Sequence, residues 1–478
     1  MKVSRYTLFV DDYPEKGESI AYHTRTQAMV KLNHCLRQTL NRLSVVGCQL
    51  SDFDAQTQEN LKALNEMGIV VRDEEEEKER LEDFFRQIKY EPNTVAFEVT
   101  ILTTYKCNFR CVYCFEESVK QDVFLDRQTS EAIINWLIKR TEKRGYKSIF
   151  IVFYGGEPLL NTEPIDYISR KMKEWADANG RRFNFAIITN GSLIKLALID
   201  KWRKIGLDCV RVSLDGDREA HNKKRPFMNG SGSFDVIIRN IKSIIDKVKV
   251  GIAGNFDTEN LESIPRLLDY LEQESLLHKL DRIGFSPIVP RLGKLNNPAA
   301  IELESCLAFF AKDGMFDATL WLRREFMRRG IKTEPGMAIN ICPLIMEDGG
   351  VAIDPKGVIY KCNSFLGYPE FSVGNVLNEG FNKQQKELLE IDAWRGCPED
   401  CPYVPMCQGG CRFFSYLENK NLTDICCKRA YFERICPELI KLDYERETVK
   451  NNSKRVPSLS RGEREIKKKV KDETARFH

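Results

Sequence analysis

Cys107, Cys111 and Cys114 fall within eight residues, with spacers of three and two. Three thiolates on so short a stretch can converge on one inorganic core. Iron–sulfur clusters take thiolate ligands and normally need four, so a triplet leaves one iron free to hold something else. The same residues could also serve a zinc knuckle or sit as buried small hydrophobes. Nine further cysteines lie beyond residue 340: Cys342, Cys362, Cys397, Cys401, Cys407, Cys411, Cys426, Cys427 and Cys436. Fourteen residues separate Cys342 from Gly357 and four separate Gly357 from Cys362, while Cys401, Cys407 and Cys411 are spaced by five and three.

Other residues suit a small charged ligand. Gly155 and Gly156 let a ligand approach backbone, and the neighbouring Glu157 can pair with an ammonium group. Ser213 and Asp215 are two apart at an expected strand end, so they share a face and could bind a diol. Arg225 can grip a carboxylate bidentately. Asn190-Gly191 reads as a plain turn, and His221 reads equally as a site residue or a surface loop residue. No side chain is singled out as catalytic.

These residues follow a regular series of elements. Candidate strands are Val95 to Leu102, Ser148 to Phe153, Phe183 to Thr189, Val210 to Leu214, Val248 to Ala253 and Ile283 to Ile288, with helical stretches such as Ser130 to Arg144 and Glu262 to Glu272 between them. Strand–helix alternation predicts an α/β barrel or sheet, with its chemistry at the C-terminal strand ends. Upstream, Arg5 to Val10, Ser19 to Tyr22 and Ile69 to Val71 read as short strands. Ala28 to Leu43 and Asp54 to Met67 read as helices, the second ended by Gly68. Asp73 to Lys89 predicts a helix with Glu74 to Glu77 as a solvated face and Leu81, Phe84, Phe85 and Ile88 as a docking stripe. The basic tail from Arg446 predicts disorder.

The 478 residues are 42% hydrophobic and 30% charged, which fits a globular chain of two to four domains. A net charge of +3 gives no argument for nucleic acid. No apolar run is long enough for a membrane, and the N-terminus lacks a signal-peptide core, so the expected location is the cytoplasm. There, sixteen cysteines read as metal ligands rather than disulfides. Cys35, Cys48, Cys209 and Cys306 lack metal spacing and are expected to be buried hydrophobes.

Cys107, Cys111, Cys114 and the aromatic Tyr113 resemble the signature of radical S-adenosylmethionine (AdoMet) enzymes. The resemblance implies a [4Fe–4S] cluster whose open iron chelates AdoMet, a reductant such as flavodoxin or ferredoxin, and a 5′-deoxyadenosyl radical. It also implies a partial (β/α)6 TIM-like barrel over 94–310. Tyr113, Gly155, Gly156, Glu157, Ser213, Asp215 and Arg225 would bind the cofactor: Glu157 at the methionine amino group, Ser213 and Asp215 at the ribose, Arg225 at the carboxylate.

The later cysteines resemble a SPASM domain, here 311–445, which implies two auxiliary [4Fe–4S] clusters. Cys397, Cys401, Cys407 and Cys427, or Cys426 in its place, would hold the outer one. Cys342, Cys362 and Cys411 would hold the inner one. The family's first pair has a two-residue spacer, whereas Cys397 and Cys401 have three. The inner fourth position is either open to a substrate thiolate or filled by Cys436 or a non-cysteine residue.

Residues 1–72 resemble a winged-helix-like peptide-recognition domain, with a structural cap as the alternative; 73–93 is a bridging helix and 446–478 a tail. The sulfatase-maturing branch carries an Asp after the cysteine matching Cys362, and Asn363 stands here instead. The resemblance thus implies a thioether-forming maturase of sactipeptide or ranthipeptide type, acting on a Cys-containing precursor peptide with a leader. Carbon–carbon cross-linking or epimerisation is the alternative, and a non-catalytic iron–sulfur scaffold is the reading from another class.

Overall fold

The computed structural model describes residues 1–46, 50–91, 95–114, 122–257, 259–288, 313–339, 341–378 and 380–451. Cys48, Cys306 and the tail beyond residue 451 lie outside them.

Strands β2 (Thr7–Asp11), β3 (Ser19–His23) and β4 (Met29–Leu32) form an antiparallel sheet, and β1 (Lys2–Val3) pairs with β5 (Val70–Val71). Helices α1 (His34–Val46) and α2 (Ala55–Glu66) lie between β4 and β5. Met29–Leu32 is a strand where helical periodicity predicts helix. The edge of β3 offers it a pairing partner, with Ala21 opposite Val30, and tertiary pairing outweighs local preference. Asn33 then starts α1, its side chain accepting from the Leu36 N–H at 2.8 Å.

Helix α3 (Glu74–Tyr90) is capped by Asp73, which accepts from the Glu76 N–H at 2.9 Å. The expected solvated face is corrected at two positions, because Glu76 and Glu77 are buried. Glu77 accepts from the Ser4 hydroxyl at 2.7 Å and from the Arg5 N–H at 2.8 Å, so it anchors the first strands. The docking stripe is as expected, but it packs on the C-terminal region rather than on the barrel. Phe85 stacks on Trp394 at 4.5 Å between centroids. The Lys89 ammonium donates to the Leu389 and Ile391 carbonyls at 2.7 and 3.0 Å. Tyr22, Leu81, Trp394, Cys436 and Ile440 share the same core.

Six parallel strands follow in sequential order: β6 (Ala96–Leu102), β7 (Ser148–Tyr154), β8 (Arg182–Thr189), β9 (Leu207–Val212), β10 (Lys249–Phe256) and β11 (Arg282–Pro287). Helices α4 (Arg127–Arg144), α5 (Thr162–Ala178), α6 (Leu196–Arg203), α7 (Arg218–Lys224), α8 (Phe234–Ile244) and α9 (Ser263–Gln273) connect them. All but α7, which buries His221 and Lys224, bury apolar residues. In α8 these are Phe234, Ile237, Ile238, Ile241 and Ile244. β9 stops at Val212, leaving Ser213 and Asp215 beyond the strand.

The C-terminal region extends the same sheet. β12 (Val351–Ile353) pairs in parallel with β6, and β13 (Val358–Tyr360), β14 (Gly374–Asn375) and β15 (Gly380–Phe381) continue it antiparallel. The result is a ten-stranded mixed α/β sheet, with β11 as its edge among the described residues. Helices α10 (Asp313–Arg328), α11 (Arg412–Asn419) and α12 (Arg429–Asn451) complete the region. The expected tail boundary at Arg446 is too early, since α12 runs on to Asn451.

Phe85 is 2% exposed. Phe85→Ala is expected to destabilise the protein by about 3–5 kcal/mol. The urea midpoint read by tryptophan fluorescence checks this.

Candidate active site

The cysteine loop leaves the C-terminal end of β6 and is held by backbone from elsewhere. Arg110 N–H donates to the Pro226 carbonyl at 3.0 Å and Val112 N–H to that of Lys224 at 3.1 Å. Phe109 is fully buried and packs edge-on against Phe227 at 4.8 Å. Cys107, Cys111 and Cys114 all line one cavity of about 400 Å³ at the mouth of the barrel.

Gly155 and Gly156 do more than admit a ligand. A Cβ on Gly155 would stand 2.4 Å from the Thr104 carbonyl, and one on Gly156 would stand 2.4 Å from that of Lys106. The end of β7 therefore passes directly beneath the cysteine loop, where Gly156 N–H and Glu157 N–H donate to those carbonyls at 3.0 and 2.9 Å. Gly155 sits at φ +136°, which favours glycine.

Glu157 is placed differently from the expectation of an ammonium partner. Its fully buried carboxylate accepts from the Thr189 hydroxyl at 2.6 Å and from the Asn190 and Leu159 N–H groups at 2.7 and 3.0 Å. Burial raises its pKa against those donors. It ties the ends of β7 and β8 together and is not among the cavity-lining residues.

Ser213 lines the cavity, but Asp215 does not share its face. The strand has already ended, so its two-residue repeat no longer applies. Asp215 is fully buried; it accepts from the Tyr113 hydroxyl and from the Asn255 N–H at 2.9 Å. Arg225 Nη1 donates to the same Tyr113 oxygen at 2.6 Å and lies 3.8 Å from Asp215. Burial opposes the Arg225 charge, but Cys111, Tyr113 and Asp215 outweigh it and hold the guanidinium protonated.

Arg225 Nε is buried with no hydrogen-bond partner among the described residues. An orphaned guanidinium N–H beside three thiols on one cavity is what the AdoMet carboxylate requires, so these residues fit AdoMet and a cluster.

Three residues go beyond the sequence reading. Asn190 is not a plain turn: it donates to Asn108 Oδ1 at 2.8 Å beside the Cys107 sulfur. Asn255 donates to the Tyr113 oxygen at 3.3 Å. His221 is buried rather than on a surface loop. Its Nδ1 accepts from the Asp215 N–H at 3.3 Å and its Nε2 faces the Ser233 hydroxyl at 3.0 Å, while burial keeps the ring neutral. The Asn-Gly pair after a strand was the available signal for Asn190; for His221 the sequence left the site and loop readings equal.

The later cysteines fall into two groups. Burial pushes the Cys397 thiol up to about 11, and Cys407, Cys401 and Cys427 add to the shift. Burial likewise pushes Cys362 up to about 12, with Cys411 and Cys342 contributing. Thiols crowded and buried in this way favour a metal that draws off their protons. Cys427 thus stands with the first group. Cys426 faces away, its sulfur 3.9 Å from Glu418 Oε1 and near Cys411.

Cys436 is excluded from the inner group, being buried in the core with Tyr22 and Tyr403. Arg412 is a further residue that sequence reading missed. It donates to the carbonyls of Gly410 and Leu422 at 3.0 Å and of Asp424 at 2.7 Å, which ties the Cys407–Cys411 stretch to the Cys426–Cys427 turn. Cys35 is exposed and Cys209 half-buried, so neither is the buried hydrophobe expected.

Among the described residues no three His, Cys, Asp or Glu side chains gather as they would around one metal ion. A single zinc draws its ligands to one point, whereas a four-iron cluster gives each thiolate its own iron.

Gly156→Ala is expected to displace the cysteine loop, costing roughly 1–3 kcal/mol by overpacking. Iron content and the melting temperature of the reconstituted protein check it, and both should fall.

Residues 101–271 match the model of the Radical SAM superfamily. The Fe-coproporphyrin III synthase of Methanosarcina barkeri is 31% identical over 39% of this chain, which spans 42% of that protein's length. The cysteine-type anaerobic sulfatase-maturating enzyme of Clostridium novyi is 24% identical over 72% of this chain and 95% of its own. SuiB of Streptococcus suis, solved with S-adenosylmethionine and with precursor peptide SuiA, superposes with TM-scores of 0.51 and 0.50 at 15% identity, covering 89% of this chain and 98% of its own. The fold likeness, the family match and the cysteine-lined cavity agree: residues 101–271 form a radical S-adenosylmethionine domain of an enzyme.

Proposed function

We propose that this enzyme modifies a ribosomally made, Cys-containing precursor peptide, joining a Cys sulfur to a carbon of an acceptor residue as a thioether. The observation that carries the reading is the division of the later cysteines into a group of four and a group of three. The four, Cys397, Cys401, Cys407 and Cys427, are complete for a [4Fe–4S] cluster. The three, Cys342, Cys362 and Cys411, are one ligand short, which leaves room for a substrate thiol. Relatives matched over most of their length support a peptide substrate, since one is named a sulfatase-maturating enzyme and another was solved with a precursor peptide.

In this reading residues 1–72 bind the leader and 311–445 are a SPASM domain with two auxiliary clusters. A third cluster on Cys107, Cys111 and Cys114, with AdoMet bound, supplies a 5′-deoxyadenosyl radical that removes hydrogen. Arg225 holds the AdoMet carboxylate, oriented by Tyr113, Asp215 and Asn255. Gly155, Gly156 and Ser213 line the cofactor's berth, and Glu157 positions Asn190 beside it. Flavodoxin or ferredoxin in a reducing cytoplasm supplies electrons. No helix among the described residues is long and apolar enough to cross a membrane.

Cys426 favours a second reading. A fourth thiol near Cys411 would complete the inner group and leave no place for a substrate thiol, which suits carbon–carbon cross-linking or epimerisation.

Forming a thioether removes one hydrogen from carbon and one from sulfur. The reconstituted enzyme is offered AdoMet, reductant and candidate Cys-bearing precursor peptides under anaerobic conditions. Loss of two hydrogens per link with matching loss of alkylatable thiols is expected. The same mass loss with every thiol still alkylatable would establish a carbon–carbon link, and one solvent deuterium gained with no mass loss in ordinary water would establish epimerisation.

Cys427→Ala is expected to lose one cluster's share of iron while Cys426→Ala keeps the outer cluster, as read by iron assay and electron paramagnetic resonance.

A further inference from the structure

The cavity does not end at the AdoMet-binding residues. On the last three barrel strands residues in matching register line it in rows, with Ile252 and Gly254 of β10 lining it beside them. Arg211, Gly251 and Arg282 lie abreast on β9, β10 and β11. Ala253 is opposite Gly284, and Asn255 is opposite Ser286. All of these residues line the cavity, while Val210, Val212 and Val250 between them are buried. The Asn255 row touches the AdoMet end through Tyr113. Four residues of strand, about 13 Å, separate it from the arginine row.

The row between the two is formed by the small residues Ala253 and Gly284. A Cβ on Gly251 would lie 3.7 Å from Arg211 Cγ and 3.8 Å from Arg282 Cβ, so the arginines flank the gap that this glycine leaves. Arg282 pairs with Glu334 at 2.9 Å, but both side chains are more than half exposed, and such pairs contribute little. Among the described residues Arg211 has no hydrogen-bonded or ionic partner. Two guanidiniums on one wall repel each other and gain when a carboxylate bridges them. The AdoMet carboxylate is already accounted for by Arg225.

We propose that Arg211 and Arg282 form a carboxylate-binding subsite that selects an acidic group on the substrate; this rests on the peptide reading. An extended peptide advances about 3.3 Å per residue, which places the acidic group about four residues from the reacting one. A Glu or Asp side chain and a peptide C-terminus present the same chemistry.

Calorimetry on the full chain at low ionic strength tests the subsite with three probes. Acetyl-Glu-Gly-Gly-Gly-amide carries only a side-chain carboxylate, acetyl-tetraglycine only a terminal one, and acetyl-Gln-Gly-Gly-Gly-amide neither. One acidic probe is expected to bind at least about tenfold more tightly than the neutral one, identifying the source, and R211Q/R282Q should abolish the difference. R211E/R282E should prefer acetyl-Lys-Gly-Gly-Gly-amide instead.

Equal binding of acidic and neutral probes, or a preference that survives both substitutions, would overturn the subsite. Should R211Q/R282Q melt early, R211Q alone, which loses no partner among the described residues, makes the same comparison. The peptide reading is scored separately by product mass. A modified precursor with no acidic preference sinks the subsite alone, whereas an acidic preference with no modified peptide sinks the peptide reading alone.

Discussion

The close passage of the β7 end beneath the cysteine loop is the constraint on which the site depends. The loop has no regular hydrogen-bonding pattern of its own. Its backbone groups are satisfied by Gly156 and Glu157 from one side and by the 224–228 segment from the other. Buried backbone groups must find partners, so the loop keeps its shape only while both neighbours are in place. Glycine is required where two backbones meet at such short range.

The second layer of the site is a buried polar network. Tyr113, Asp215, Arg225 and Asn255 satisfy one another in a place that water does not reach freely. A buried carboxylate or guanidinium without partners is costly, so each member fixes the next. His221 works one step further back, holding the Asp215 backbone and facing Ser233, whose hydroxyl donates to the Arg225 carbonyl at 2.7 Å. Arg225 Nε is left buried without a partner among the described residues.

The C-terminal region is joined both to the barrel and to the N-terminal sheet. β12 extends the barrel sheet beyond β6, and the Tyr105 hydroxyl on the loop after β6 donates to Asp354 at 3.0 Å. The N-terminal sheet and α3 share one apolar core with the C-terminal helix α12. The first 72 residues are thus packed against the cysteine-rich region.

Much was legible in the sequence. The six strand–helix units follow from apolar runs with helical periods between them, and the three-cysteine loop, Gly155-Gly156 and Arg225 all meet at one cavity. These are local patterns, and local patterns survive in sequence. Four matters were decided only by tertiary structure. Met29–Leu32 became a strand because β3 lay beside it. Glu157 turned inward because Thr189 and the Asn190 N–H offered it more than an exposed position could. Asp215 parted from Ser213 because β9 ended at Val212. Cys426 and Cys427, adjacent in sequence, point to different cysteine groups because Arg412 fixes the turn that carries them. In each case the deciding partner lies on another element or beyond a strand end, and no periodicity in the sequence records it.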